Sequence, residues 1–372
     1  MDPSYVLSTF LDLVKISSHS LKEHDVAAYC RVRLEALGFV VEEDDAGTKL
    51  GGTTGNLLAT LPGDNTLPPV MLAAHMDTVI PGEGVNPRVD ADGVVWSDGT
   101  TVLGADDKAG VTAILTAVKD IVEQQLPHGP LQVVLTIGEE VGLQGAKNLD
   151  RSRLHAQYGL SLDSGGALGT LVVAGPAQVR WEAEFTGKSA HAGVAPERGV
   201  SAVKMAAAGV SQMPHGRIDA ETTVNVSTFL ADGPTNIVTD RVRLLGEARS
   251  RNAEKLERTL NQIEQAFTAA ATAAGGQARF TSTKMYDGFR FSPADPVRAR
   301  AEQALAQAGF TVHPMEGGGG SDANMYTSYG VPTINIGVGY EDIHSVTEHI
   351  RVADIEAAAQ VAVAFCTLEG AR

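Results

Sequence analysis

No stretch of eighteen consecutive apolar residues occurs in the 372-residue chain, so no membrane-spanning helix is expected. Positive charge is scarce: 29 Lys and Arg stand against 45 Asp and Glu, for a net charge of −16 and a pI near 5.0. That balance excludes nucleic acid and anionic membrane surfaces as expected partners. Cysteine is nearly absent. Cys30 and Cys366 lie far apart in helical patterns and read as two buried thiols in a reducing compartment rather than a disulfide. The opening "MDPSYVLSTFLDLVKISS" lacks the basic start and apolar core of a secretory signal, so a cytoplasmic location is expected. Internal repeats and low-complexity tracts are also missing.

What remains is ordinary globular material, 43% hydrophobic and 20% charged, long enough for two domains. Apolar periodicity predicts helices at 4–16 and 21–37, the second stopped by Gly38. Short apolar runs bounded by Gly, Pro or Asp follow: "FVVEE", "GNLLATL", "PVMLAAH", and after a helix at 107–125, "PLQVVLTIGEE" and "YGLSLDSGG". Alternating strands and helices imply an α/β layer architecture with buried parallel strands. The middle of the chain differs. In "AQVRWEAEFTG", Val179, Trp181, Ala183 and Phe185 share one face and Arg180, Glu182 and Glu184 the other, a strand with one wet side. A helix at 199–212, strands at 221–230 and 240–249, a helix at 253–273 and a strand at 276–283 complete a βαββαβ order, the ferredoxin-like unit. The α/β style returns with a helix at 295–308, strands at 310–314 and 331–336, and a helix at 352–368. The expected organisation is thus a discontinuous α/β domain, 1–176 and 287–372, interrupted by an α+β insert, 177–286.

The chemistry gathers at strand ends. In "VMLAAHMDTV", His75 and Asp77 are two apart and leave the same face of a strand at its carboxyl end. "LGADDKAG" puts Asp106 and Asp107 at the start of a helix. "LTIGEEVG" puts Glu139 and Glu140 just past a strand, "LSLDSGG" puts Asp163 at the end of another, and "GYEDIHSVTEHI" puts His344 in the loop after a third. In open α/β sheets ligands bind at this edge. So many carboxylates stay ionised together only with cations between them. Two His and several carboxylates without thiolate suit divalent zinc, with manganese or cobalt as alternatives. On this reading His75 is a metal ligand and Asp77 orients its ring. Singly, each pattern has an ordinary explanation: a turn with a capping Asp, a helix N-cap pair, a solvated corner. Together they fall at one sheet edge, and the ordinary explanations do not account for that.

The segments "AAHMDTV", "GADDKAG", "GEEVGLQGAK", "LDSGG", "SAHAGVAPERG" and "GGGSDAN" together resemble the M20 metallopeptidases, in particular their peptidase T-like tripeptidase branch. The resemblance spans essentially the whole chain. It implies a zinc-peptidase-type α/β catalytic domain interrupted by a ferredoxin-like α+β lid and dimerisation domain. It implies two divalent metal ions, one held by His75 and Asp163, the other by Glu140 and His344, with Asp106 bridging, Glu139 as general base and Asp77 supporting His75. Asp at 163 matches aminopeptidase and tripeptidase members, where carboxypeptidase-like relatives usually carry Glu. His191, on the insert, would reach the partner subunit's active site in a homodimer and stabilise the oxyanion. Asn236 and Arg249 match positions that touch substrate, and Arg249 suits bidentate pairing with a peptide carboxylate. "EGGGGSDAN", which includes Gly319, lacks the Lys and trailing Ser/Thr of a P-loop and reads as a flexible wall that lets a substrate backbone approach. His19, His24, His128, His155, His215, His313 and His349 lack motif context and read as surface or structural, while Trp96 and Trp181 read as packing residues. The implied activity is removal of the N-terminal residue from short peptides. An N-acyl amino acid amidohydrolase of the same family and a non-catalytic binding protein on this fold are the competing readings.

Overall fold

The structure is a computed structural model describing residues 2–368. The chain divides into two units. Of the described residues, one comprises 2–173, 291–317 and 321–368, the other 174–290 and 318–320.

The first unit is built on a mixed sheet. Its strands run in the order Val40–Glu43, Leu57–Leu61, Leu131–Thr136, Val70–His75, Tyr158–Ser164, Thr333–Gly337 and Thr170–Gly175, with His313–Glu316 beside the last. Val70–His75 pairs in parallel with both Leu131–Thr136 and Tyr158–Ser164, and the latter pairs in parallel with Thr333–Gly337. Four neighbouring strands therefore end at one edge. Antiparallel strands flank them. Val70–His75 and Leu131–Thr136 are buried at every residue, as strands covered on both faces must be.

Val70–His75, Val352–Thr367 and Pro3–Lys15 all pack against the helix Ala105–Glu123. It is buried nearly all round, which explains its weak amphipathic pattern. Gly110 lets its first turn press on the sheet: a Cβ there would stand 2.2 Å from the Leu162 carbonyl and 2.3 Å from Asp107 Oδ1. On the opposite face Met71, Ala73 and Val134 pack with Ala146, Leu149, Tyr326 and Val331.

The second unit is a five-stranded antiparallel sheet in the order Gly216–Arg217, Thr222–Leu230, Arg241–Ser250, Ala177–Thr186, Gln277–Tyr286. Leaving out the two-residue edge strand, its order is that of a βαββαβ ferredoxin-like unit. Alternation in Ala177–Thr186 turns Val179, Trp181, Ala183 and Phe185 inward. Phe267, on the helix Ala253–Ala273, meets Trp181 and Phe185 at ring-centre distances of 5.7 and 5.4 Å. That helix starts where the Asn252 side chain accepts from the Lys255 amide, 3.0 Å, and buries Leu256, Thr259, Ile263, Phe267 and Ala270 at three- to four-residue spacing.

Several elements differ from expectation. The helix expected from Leu21 begins at His24, because Leu21 takes a left-handed φ of 69° and its amide is held by the Glu23 carboxylate. The strand expected at 310–314 lies at His313–Glu316. The Phe310 amide instead closes the preceding helix on the Leu305 carbonyl. A small sheet of Arg88–Val89, Val94–Trp96 and His349–Arg351 has no counterpart in the apolar periodicity. Among the described residues no helix is long and apolar enough to cross a membrane.

Candidate metal centre

The parallel topology explains the convergence of polar groups. His75 ends its strand, Asp163 lies near the end of the next, Glu139 and Glu140 follow Leu131–Thr136, and His344 sits on the loop after Thr333–Gly337. Asp106 comes from the kinked start of Ala105–Glu123, where Asp106 and Asp107 are non-helical and joined by a cis peptide.

Two donor sets result, and they share Asp106. His75, Asp106 and Asp163 offer ligand atoms within 4.8 Å of one another, and so do Asp106, Glu140 and His344. His75 Nε2 lies 3.2 Å from Asp106 Oδ1 and 3.6 Å from Asp163 Oδ1. His344 Nε2 lies 3.4 Å from Asp106 Oδ2 and 2.9 Å from Glu140 Oε1. The two oxygens of Asp106 thus face different imidazoles, the disposition of a bridging carboxylate. Imidazole and carboxylate without thiolate is the donor chemistry of divalent zinc, manganese or cobalt, and the residues fit a pair of such cations.

Asp77, fully buried, binds the strand ends together. It accepts from the Glu139 amide at 2.9 Å, the Glu140 amide at 3.2 Å and Ser20 Oγ at 2.6 Å. Its Oδ1 lies 3.4 Å from His75 Nδ1, which also contacts the Asp77 carbonyl at 2.9 Å. Asp163 is fixed by Asn335, whose amide oxygen accepts from the Asp163 backbone N–H and whose amide nitrogen donates to the Asp163 carbonyl. Asp107 behaves as the ordinary explanation expects: its carboxylate accepts from the Gly110 amide as a helix cap, and also from the His75 amide.

The charges are strongly perturbed. Burial would raise Asp77, yet its contacts with His75 and Ser20 hold it below the usual carboxylate range. Asp106 is likewise held low against burial, by His344 and His75. Asp163 is pushed up to about 6, first by burial, and Glu139 rises well above its ordinary value through burial and the neighbouring Asp163, Asp322 and Glu140. His344 rises to about 10 through Asp106 and Glu140. So dense a set of anions around two imidazoles holds protons unless cations replace them. Glu139 stands among these groups half-buried, its side chain in neither donor set.

Residues 71–367 match the family described as peptidase family M20/M25/M40. This chain belongs to that family. It is 43% identical to the uncharacterized protein YqjE of Bacillus subtilis strain 168 over 97% of each chain. Among solved structures it is similar to an aminopeptidase PepT from Bacillus cereus, at 42% identity and TM-score 0.93 over 99% of this chain and 98% of that one. A tripeptidase from Staphylococcus aureus gives 37% identity and TM-score 0.94 over the same shares. The M20 chain described here is accordingly a peptidase-family hydrolase with donor sets suited to metal.

The other candidate residues lie in the second unit. His191 and Asn236 are brought together: the Ala192 amide donates to the Asn236 carbonyl at 2.9 Å, and His191 bridges Ile237. Arg249 lies on the wet face of Arg241–Ser250 and donates to Glu247 at 2.8 and 3.2 Å. A Cβ on Gly319 would meet nothing within 4 Å. Trp181 is a core residue, while Trp96 stacks on His349 with ring centres 3.9 Å apart. Sequence reasoning missed Ser20, Asn335 and Glu348. Glu348 had a signal in hand, since it follows His344 by four residues in "HSVTEH".

Proposed function

We propose that this M20 chain is a two-metal aminopeptidase acting on short peptides, tripeptides among them, and releasing the N-terminal residue. The observation that carries the reading is the pair of donor sets sharing Asp106 with Glu139 beside them. The likeness to an aminopeptidase and a tripeptidase at 42% and 37% identity supports the substrate class.

In this reading His75 and Asp163 hold one divalent cation, Glu140 and His344 the other, and Asp106 both. When bound, such a pair acidifies a water and polarises the scissile carbonyl. Glu139 takes the proton of the attacking water and passes a proton to the leaving amine. Its crowded, half-buried position raises its basicity, as that shuttle requires. Asp77 keeps the base in register with the ligands, since the Glu139 and Glu140 amides and the His75 ring all meet its carboxylate. His191 donates to the developing oxyanion in a homodimer, the kind of contact worth roughly 3–4 kcal/mol. Asn236, Arg249 and Gly319 receive the substrate, Arg249 through its carboxylate. The homodimer reading draws support from the strand Thr222–Leu230, whose partner Gly216–Arg217 covers only Thr223 and Val224 on its outer edge. Phe229 and Leu230 there are 43% and 54% exposed. A cytoplasmic location belongs to the same proposal.

The test is cleavage of a free-amine tripeptide set against its N-acetylated form, with Glu139→Ala alongside. The proposal expects cleavage of the free amine only, and a loss of at least ~10²-fold in turnover with metal content retained in Glu139→Ala. Cleavage of the acylated form alone would establish the deacylase instead, and unchanged turnover in Glu139→Ala would remove Glu139 as the base.

A further inference from the structure

The shared ligand Asp106 has to present its two oxygens in two directions, and its own backbone gives it little support. It sits in a non-helical conformation, φ −81° and ψ 104°, at the kinked start of Ala105–Glu123. Gly104, the residue capping that helix, has φ 76° and no side chain with which to satisfy the first-turn donors. The amides of Gly104 and Asp106 would therefore be orphans of the helix start. Both are taken by one side chain from the far end of the sequence. Glu348 Oε2 accepts from the Gly104 amide at 2.7 Å, and Oε1 accepts from the Asp106 amide at 2.9 Å. The carboxylate is 1% exposed, so these contacts are shielded from water.

Glu348 belongs to the loop that carries His344. That loop is closed at its base by reciprocal backbone bonds between Glu341 and His349, 2.9 and 3.2 Å. Within it Ser345 and Thr347 bond to Asp342 at 2.8 and 3.0 Å. His344 is held in the left-handed region at φ 63°, a conformation that histidine enters more readily than most residues. One internally braced loop thus delivers a ligand of the second donor set at its tip and, four residues on, a clamp on the backbone of the ligand common to both sets.

We infer that Glu348 is a positioning residue for the metal centre: its bidentate grip on the Gly104 and Asp106 amides sets the bridging carboxylate of Asp106 against His344. The inference rests on the two-metal reading above. Glutamate suits the task and glutamine does not, because both oxygens of Glu348 face donors. A carboxamide would turn its own N–H groups toward one of the two amides.

The experiment titrates Co2+ into the chelator-stripped full-length chain and follows its visible absorption, for the natural protein, Glu348→Gln and Glu348→Asp. Thermal unfolding of each stripped chain is measured in parallel. Residues that hold ligands in place typically change metal affinity by ~10–100-fold when removed. Glu348→Gln is expected to weaken cobalt binding by that factor and to alter the bands of the loaded form. Glu348→Asp keeps the charge but is one methylene shorter, and should fall between Gln and the natural protein. Affinity within about threefold of the natural protein in Glu348→Gln would overturn the inference. So would a loss confined to unfolding temperature with unchanged cobalt bands. Should Glu348→Gln not fold, Glu348→Asp decides alone: weakened binding supports the clamp and natural affinity refutes it. A natural chain that binds no cobalt would overturn the two-metal reading and the inference with it, whereas natural binding with indifferent variants would overturn the inference alone.

Discussion

Asp77→Asn tests how the strand ends are tied together. The side chain changes little in shape, but it loses its charge and one acceptor. In the natural chain Asp77 Oδ1 accepts from the Glu139 amide at 2.9 Å and Oδ2 accepts from Ser20 and the Glu140 amide at 2.6 and 3.2 Å. An asparagine oriented to keep the Oδ2 contacts points its NH2 at the Glu139 amide, leaving a donor facing a donor. One such loss in a buried setting costs about 1–3 kcal/mol. The carboxyl is held below its ordinary pKa despite complete burial, so its favourable contacts outweigh its desolvation and neutralising it is a net loss. We expect about 2–3 kcal/mol by urea denaturation of the chelator-stripped chain. Because the folded pKa is depressed, this contribution is present above the unfolded value of about 3.9 and is lost as pH falls through the folded one. The gap between the two proteins therefore persists at neutral pH and narrows in acid. Calorimetric zinc titration should show an affinity loss of ~10–100-fold, since His75 and Glu140 both depend on this carboxylate. A stability change within about 0.5 kcal/mol together with unchanged zinc affinity would refute the reasoning.

Further outcomes follow from other contacts. Glu23 is buried, accepts from the Leu21 and Gly138 amides through one oxygen and leaves the other without a partner. Burial first, then the charge of Asp77, lifts its pKa to about 7. A raised acid weakens the fold as pH climbs from its unfolded to its folded value, so Glu23→Gln should gain roughly 2 kcal/mol on the natural chain between about pH 5 and about pH 8. An equal difference at both pH values in urea denaturation would contradict this. Gly110→Ala forces a Cβ within 2.2 Å of the Leu162 carbonyl. It should destabilise by at least about 1–3 kcal/mol and weaken zinc binding by displacing the helix start, both read in the same assays. Trp181→Ala empties the centre of the second unit's core, where the indole is 1% exposed, and should cost about 3–5 kcal/mol in thermal unfolding.

Much of the fold was legible because its signals are local. Continuous apolar runs marked the parallel strands, clean alternation marked Ala177–Thr186, and polar residues at strand ends pointed to one edge. The five residues proposed as ligands lie in two overlapping clusters there. The parts that escaped depend on partners distant in the chain or on elements too short for a period. Glu348 meets the Gly104 amide across 244 positions, Asn335 meets Asp163 across 172, and Ser20 meets Asp77 across 57. Nothing in the neighbouring residues announces such contacts. The sheet formed by Arg88–Val89, Val94–Trp96 and His349–Arg351 has strands of two or three residues, below the length at which alternation can be read. The run at 310–312 carries aromatic and β-branched residues as a strand does, but the Phe310 amide closes the helix before it on the Leu305 carbonyl.

The central claim is that two divalent cations share Asp106. Anomalous diffraction from crystals grown with zinc or manganese tests it most directly. The account predicts two peaks per chain, one beside His75 and Asp163, the other beside Glu140 and His344, with an oxygen of Asp106 on each. Crystals with saturating metal and no peak between those residues, or with a single peak that leaves Glu140 and His344 unligated, would contradict it.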